Sequence, residues 1–286
     1  MQHLVHASVI VYSQLRDELQ HVIKMTRQID PKYASYSATV LQYYAERSQS
    51  QTLLLQAWKL WDADIIMRSM LECATRFLFV SIAAPDERAQ RIEEYTISLN
   101  EIENLQRSEK AKDFVATSID EDTKMLIGGV VFGAEDEAEL RARWPKAKRK
   151  ALKQKWSFTE ISHVLSTFHV DRLDLRNYKS FLHGYGLSSH LIHADQTSMD
   201  LVKDRAGREP QEKAMLEKAH FARLATEPVS ILFLCWRAMA YASGVDSKNI
   251  EIVKSVIALN EQAAVYHRAF AESQRDLYSR PLGHEA

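Results

Sequence analysis

The stretch "LWDADIIMRSMLECATRFLFV", Leu60 to Val80, decides the fold. At about 100° per residue, Trp61, Ile65, Arg68, Glu72 and Phe79 fall on one stripe of a helix, and the other faces carry Leu60, Met67, Leu71 and Leu78, or Ile66, Met70, Cys73 and Phe77. A helix that is apolar nearly all round is buried. Arg68 and Glu72 are therefore expected inside, paired at four residues' spacing, because an unpaired charge there would be costly.

Outward from this stretch the chain keeps reading as helix. Eight glycines and six prolines in 286 residues, with 46% hydrophobic content, are too few turn formers for an all-β fold and enough apolar mass for a sizeable core. A first helix carries Leu4, Val5, Leu15, Leu19, Val22 and Ile23 and stops at Asp30-Pro31. A long one follows to Ala84-Pro85, with a break near 48–50, so that the central buried helix spans 51–84. A third starts at Pro85-Asp86. Two more run over 211–243 and 248–278. The expectation is an all-α bundle of seven to nine helices, a single helical domain over 1–286, with a mobile insert or basic arm at 118–156.

Within that insert "MLIGGVVFG" has no assignable pattern, and "SFTE" at 157–160 reads as a capping box opening a short helix. Between them lie eight basic residues flanked by Trp144 and Trp156. Lys146, Lys148, Arg149, Lys150 and Lys153 are candidates for phosphate contacts, with the tryptophans stacking bases. The alternative is a solvated helix face paired with the acidic "EDEAE" just before it.

Lys+Arg 37 against Asp+Glu 38 leaves a net charge of −1, so contact with a nucleic acid must be local. Cys73 and Cys235 lack the spacing of a zinc site or a secreted disulfide framework, which places the chain in a reducing cytoplasm. The N-terminus lacks the pattern of a signal peptide, and "ILFLCW" is far short of the ~20 apolar residues of a membrane span. No metal or cofactor is expected. Glu217 with His220 forms one Glu-x-x-His, and a ferritin-like carboxylate centre needs a second.

The most polar helical stretch is "RNYKSFLHGYGLSSHLIHAD", 176–195, entered through Asp171 or Asp174 as N-cap. Read as helix throughout, it puts Arg176, His183 and His190 on one stripe and Tyr178, Tyr185, Ser189 and His193 on a second. Gly184 and Gly186 in its middle point to a bend or a close neighbour.

"RSMLE", "KWSFTEIS" and the Tyr185, Ser189, His193 spacing together resemble a bacterial helical family of unknown function, over about residues 50–195. Its members carry R-S-x-x-E in one buried helix and Y-x-x-x-S-x-x-x-H in a later one. The likeness supplies no biochemical role; Arg68, Glu72, Tyr185, Ser189 and His193 are expected to face one another as a polar network between the two helices. "RNYKSFLHGY" also resembles the signature of HEPN domains, with Arg176, Asn177, His183 and Tyr185 supplying each element. That resemblance implies an RNA-directed protein of defence or toxin type, a metal-independent endoribonuclease acting as a homodimer. In such chemistry a histidine serves as general base or acid on a ribose 2′-hydroxyl, and an arginine stabilises charge on the phosphate. The rival reading is a noncatalytic helical interaction or ligand-sensing module in which the same network is structural.

Overall fold

Asp30 ends one helix and starts the next. Its Oδ1 accepts the Tyr33 amide at 2.9 Å, Pro31 occupies the first helical position where no N–H is needed, and the Asp30 amide still bonds Thr26 O. This junction, in a computed structural model that describes residues 1–246 and 249–275, joins α1 (Gln2–Ile29) to α2 (Pro31–Gln56). There follow α3 (Leu60–Ser81), α4 (Pro85–Glu93), a π turn (Glu94–Ser98), α5 (Leu99–Thr117), α6 (Glu121–Gly128), α7 (Ala134–Arg143), α8 (Lys146–Lys155) and α9 (Phe158–Leu165). A two-rung antiparallel hairpin pairs His169–Val170 with Leu173–Asp174. After a 3-10 turn (Tyr178–Ser180) come α10 (Phe181–His193), α11 (Gln196–Gly207), α12 (Pro210–Ser243) and α13 (Ile250–Ser273).

The chain is all-helical, with thirteen α-helices among the described residues where seven to nine were expected. The surplus lies between residues 118 and 207, where Gly128-Gly129 and Ala194 end helices and Gly133 and Pro145 stand at the starts of new ones. Of the last helix as read from sequence, positions 248 and 276–278 lie outside the described residues. The central helix is also shorter than 51–84. It is cut off from α2 at Ala57 to Lys59, where Trp58 takes a left-handed φ of 57° and stacks on Phe221 at 4.7 Å. Ring burial overrides the backbone preference there, and no glycine or proline marks the break. α3 is buried on most faces, while its Trp61, Ile65, Arg68 and Glu72 stripe is half-buried.

The residues divide into two compact units, one of Met1–Ile82 with Ser162 onward and one of Ala83–Ile161. In the first, α1, α2, α3, α12 and α13 pack around Trp236, Tyr33, Tyr44 and Phe77, all inaccessible to solvent. α12 contains Pro228, which has no N–H for the carbonyl of Leu224. The buried Gln51 side chain of α2 donates Nε2–H to that carbonyl at 3.3 Å, and the buried Tyr44 hydroxyl donates to Pro228 O at 2.8 Å. Gln51 thus supplies the donor that the proline lacks, and Tyr44 adds a second tie between α2 and the same turn.

In the second unit Trp144 and Trp156 are buried and donate their indole N–H to Glu101 at 2.7 Å and Glu94 at 3.0 Å. Tyr95 stacks on Trp156 at 5.2 Å. Ser157 Oγ accepts the Glu160 amide at 3.3 Å, and the Glu160 carboxylate takes Gln154 as its partner, so one half of the capping box forms.

Replacing Gln51 with leucine leaves the Leu224 carbonyl buried without a donor. Urea unfolding should show a loss of about 1–3 kcal/mol despite the added apolar surface, and an unchanged or raised midpoint would mean that water or a relaxed α12 satisfies that carbonyl.

Candidate functional site

Three rungs tie α3 to the segment around α10. Thr75 Oγ1 meets the buried Tyr178 hydroxyl at 2.8 Å; Glu72 and Arg68 meet Tyr185; Asp64 meets Ser188. Partner numbers fall along α3 as they rise along α10, so the two run antiparallel. Asp64, Arg68, Glu72 and Arg76 alternate in charge at every fourth position of α3. That signal is present in the sequence, and only Arg68 and Glu72 were drawn from it.

Around Tyr185 the bonding is triangular. Arg68 Nε donates to Glu72 Oε1 at 3.2 Å and Nη2 to the Tyr185 hydroxyl at 3.0 Å, and that hydroxyl donates to Glu72 Oε1 at 3.0 Å. The guanidinium lies over the Tyr185 ring, 4.5 Å from its centre. Partial burial and the Glu72 charge raise the Tyr185 pKa, so the phenol keeps its proton. Arg68 and Glu72 retain 15% and 29% side-chain exposure, so the pair is only partly withdrawn from water and not fully inside.

The deeper centre is Asp64, which is wholly buried. Its Oδ2 accepts His220 Nε2–H at 2.6 Å and its Oδ1 accepts Arg223 Nη2–H at 2.6 Å, both from α12. Arg223 Nη1 goes on to Glu227 at 2.9 Å. The Ser188 hydroxyl has one hydrogen for two acceptors, Gly184 O at 2.9 Å and Asp64 Oδ1 at 3.3 Å, and the shorter bond takes it more of the time. From α11, Arg205 Nη2 donates to His220 Nδ1 at 2.9 Å while its guanidinium covers the Trp61 ring at 3.7 Å. An arginine only donates, so Nδ1 must accept and the proton sits on Nε2. His220 is thereby a neutral relay between a cation and an anion.

The ionisation equilibria agree with this geometry. Burial alone would raise the Asp64 carboxyl, but hydrogen bonding from His220 and the Arg223 charge outweigh it and hold the pKa at about 2. Burial pushes His220 below its ordinary value against the pull of Asp64. Burial raises Glu227 despite its bond to Arg223.

The other candidate residues lie elsewhere. Arg176 and Asn177 are exposed in the turn before α10 and are not part of that helix, so the stripe joining Arg176 to His183 and His190 does not exist. Arg176 forks onto Asp174, Nε to Oδ1 at 2.9 Å and Nη2 to Oδ2 at 2.5 Å, which holds the Asp174 carboxyl well below the usual range. Asp174 thus serves the hairpin and that fork, and neither it nor Asp171 caps α10, whose N-cap is Ser180. His183 is exposed in the first turn of α10. Ser189 is half-buried and outside these bonds, and His193 is exposed at the end of the helix. Ser188, one position earlier, is the serine that turns inward. His190 pairs with Asp195, the N-cap of α11, at 2.6 Å.

In the basic arm Lys146, Lys148 and Lys150 are exposed, Arg149 is half-buried, and Lys153 donates to Gln106 at 2.6 Å. Lys148 lies 4.5 Å from the centre of the Trp144 ring. Trp144 and Trp156, being buried, do not offer faces to bases. Among the described residues no cluster of three or more His, Cys, Asp or Glu is placed to hold a metal ion, and no helix is long and apolar enough to cross a membrane. No family model, curated protein or solved structure matches the chain.

Two outcomes follow. Asp64→Ala strands His220 and Arg223 and should cost about 3–5 kcal/mol in urea unfolding; a loss of a few tenths would show that water replaces the carboxylate. With His220 lower in the fold than its ordinary 6.5, the unfolded chain takes up protons first, so stability should fall as pH drops below about 6.5. Asp64, lowered from 3.8 to about 2, adds a second loss as pH falls from about 4 towards 2. His267, also lowered by burial, acts in the same direction as His220, so His220→Gln should remove part of the first loss. A level profile between pH 7 and 5 in the parent protein would mean that His220 is not held neutral.

Proposed function

We propose that this chain is a noncatalytic helical module that senses a ligand or partner through the seating of α10 and α11. The observation that carries this reading is how those two helices are held. Among the described residues, α10 buries Ser188 alone and α11 buries Ser198 alone. No apolar side chain of either helix is fully buried, and Phe181, Leu182, Leu187 and Leu191 of α10 are only half-buried. The attachment of the two helices to α3 and α12 runs through Tyr185, Ser188 and Arg205, that is, through directional bonds to Arg68, Glu72, Asp64 and His220. Elements held by few buried apolar contacts open at lower free energy than the core, and such elements are the ones that move when a ligand binds.

Hydrogen exchange tests it. Amides of α10 and α11 should exchange faster than those of α1, α2 and α12, and Tyr185→Phe should speed them further with little change in the global unfolding midpoint. Exchange of α10 and α11 only together with the core would retire the reading.

A second reading has one observation in its favour: Arg176, Asn177 and His183 all stand exposed around the start of α10, open to a substrate or a second copy. This is the HEPN-like, metal-independent endoribonuclease acting as a homodimer, with His183 exchanging a proton with the 2′-hydroxyl and Arg176 meeting the phosphate. RNA phosphate would have to displace Asp174 from Arg176, and that ranks this reading second. Incubating total RNA in EDTA with the parent, His183→Ala and Asp174→Asn decides it. The nuclease reading expects cleavage by the parent, none by His183→Ala and more by Asp174→Asn; RNA left intact by the parent ends it.

A further inference from the structure

We propose that the cavity between α1, α2 and α12 is a binding site for a small amphiphilic carboxylate, a medium-chain acid with its tail inside and its head at Arg16. The site goes beyond the α10–α11 reading, and none of its lining residues belongs to those helices. Its volume is about 480 Å³, within the range of small-molecule sites.

The interior selects an apolar body. Val5, Leu55, Ala225 and Val229 form its walls, beside the Pro228 bend of α12. Gln49 and Gln56 of the lining are exposed to solvent, whereas the polar groups deeper in are engaged within the fold. Ser8 Oγ donates to Leu4 O at 2.8 Å, Thr52 Oγ1 to Ser48 O at 2.9 Å, and Gln51 Nε2 to Leu224 O. The Tyr12 hydroxyl bonds Ser48, and burial pushes its pKa up to about 12, so it adds no charge. A ligand with many polar groups along its length would find few free donors there, whereas a hydrocarbon chain loses nothing.

The mouth selects the head group. Arg16 is the one charged residue lining the cavity among the described residues. Its guanidinium is half exposed and engaged only by Asp17 at 3.2 Å and Ser13 at 3.4 Å. An ion pair this exposed contributes little, and a ligand carboxylate held over an apolar cavity can displace it. Val9 and Leu53, 47% and 66% exposed, stand on opposite helices at the same opening and leave apolar surface for a ligand to cover.

The probe is 1-anilinonaphthalene-8-sulfonate with the full chain. Its fluorescence should saturate at one site and be displaced by hexanoate, octanoate and decanoate, with affinity rising roughly fourfold per added methylene. Octanol should compete more weakly than octanoate, and octylamine more weakly still. In Arg16→Gln the advantage of octanoate over octanol should vanish while octanol still competes. Val9→Trp, on an exposed position, should close the mouth and abolish probe binding without moving the melting temperature, and Leu53→Trp does the same from the opposite wall. An unsaturable signal overturns the proposal. So does binding that survives both tryptophan substitutions, or octylamine competing as well as octanoate.

Discussion

A carboxylate with no access to water governs how the first unit is assembled. Asp64 cannot remain ionised in the interior unless donors are brought to it, and Arg68, one turn along α3, is turned to Glu72 and Tyr185 instead. His220, Arg223 and Glu227 recur at three, then four, residues along α12, so one face of that helix carries both donors and the acid that steadies the second. Fixing α12 by this face also fixes which way Arg205 must approach. The imidazole presents an unprotonated nitrogen only on the side away from Asp64, and a donor is required there. Such a network selects one arrangement of helices among many that would bury similar apolar area. Its contribution is to specificity more than to net stability.

The helical class was readable because its signals are local: sparse glycine and proline, Asp30-Pro31 as a stop and start, and Pro85 opening a helix. The failures came where a distant partner decides. Trp58 leaves the helical region to reach Phe221, some 160 positions away, and no neighbour in sequence announces it. The segment 176–180 satisfies a helical pattern as letters. It follows the hairpin and the buried Tyr178 instead, because anchoring that ring against Thr75 sets the chain's direction before α10 begins. Arg68, Glu72 and Tyr185 were visible as polar residues at helical spacing, and in the fold they meet. Asp64, the most consequential of the alternating charges, carries no mark of its role in the sequence, since burial is a property of the partner helices.

The two tryptophans of the basic arm show a related ambiguity. A ring between lysines is compatible with a stacking platform for bases and with an anchor beneath a charged surface, and the spacing is the same in both. In the fold their indole N–H groups seek Glu101 and Glu94, and the Lys148 ammonium stands over the Trp144 ring. Acidic residues more than forty positions earlier thus settle which way the rings turn.

Pro228 and Gln51 have a consequence for how this sequence can change over time. Restoring an N–H at position 228 would let α12 close its own ladder onto Leu224, and that carbonyl, with two lone pairs, can still accept from Gln51. Removing the amide first leaves the carbonyl stranded. The order of change therefore matters: position 51 is held for as long as position 228 is proline, and is released once it is not.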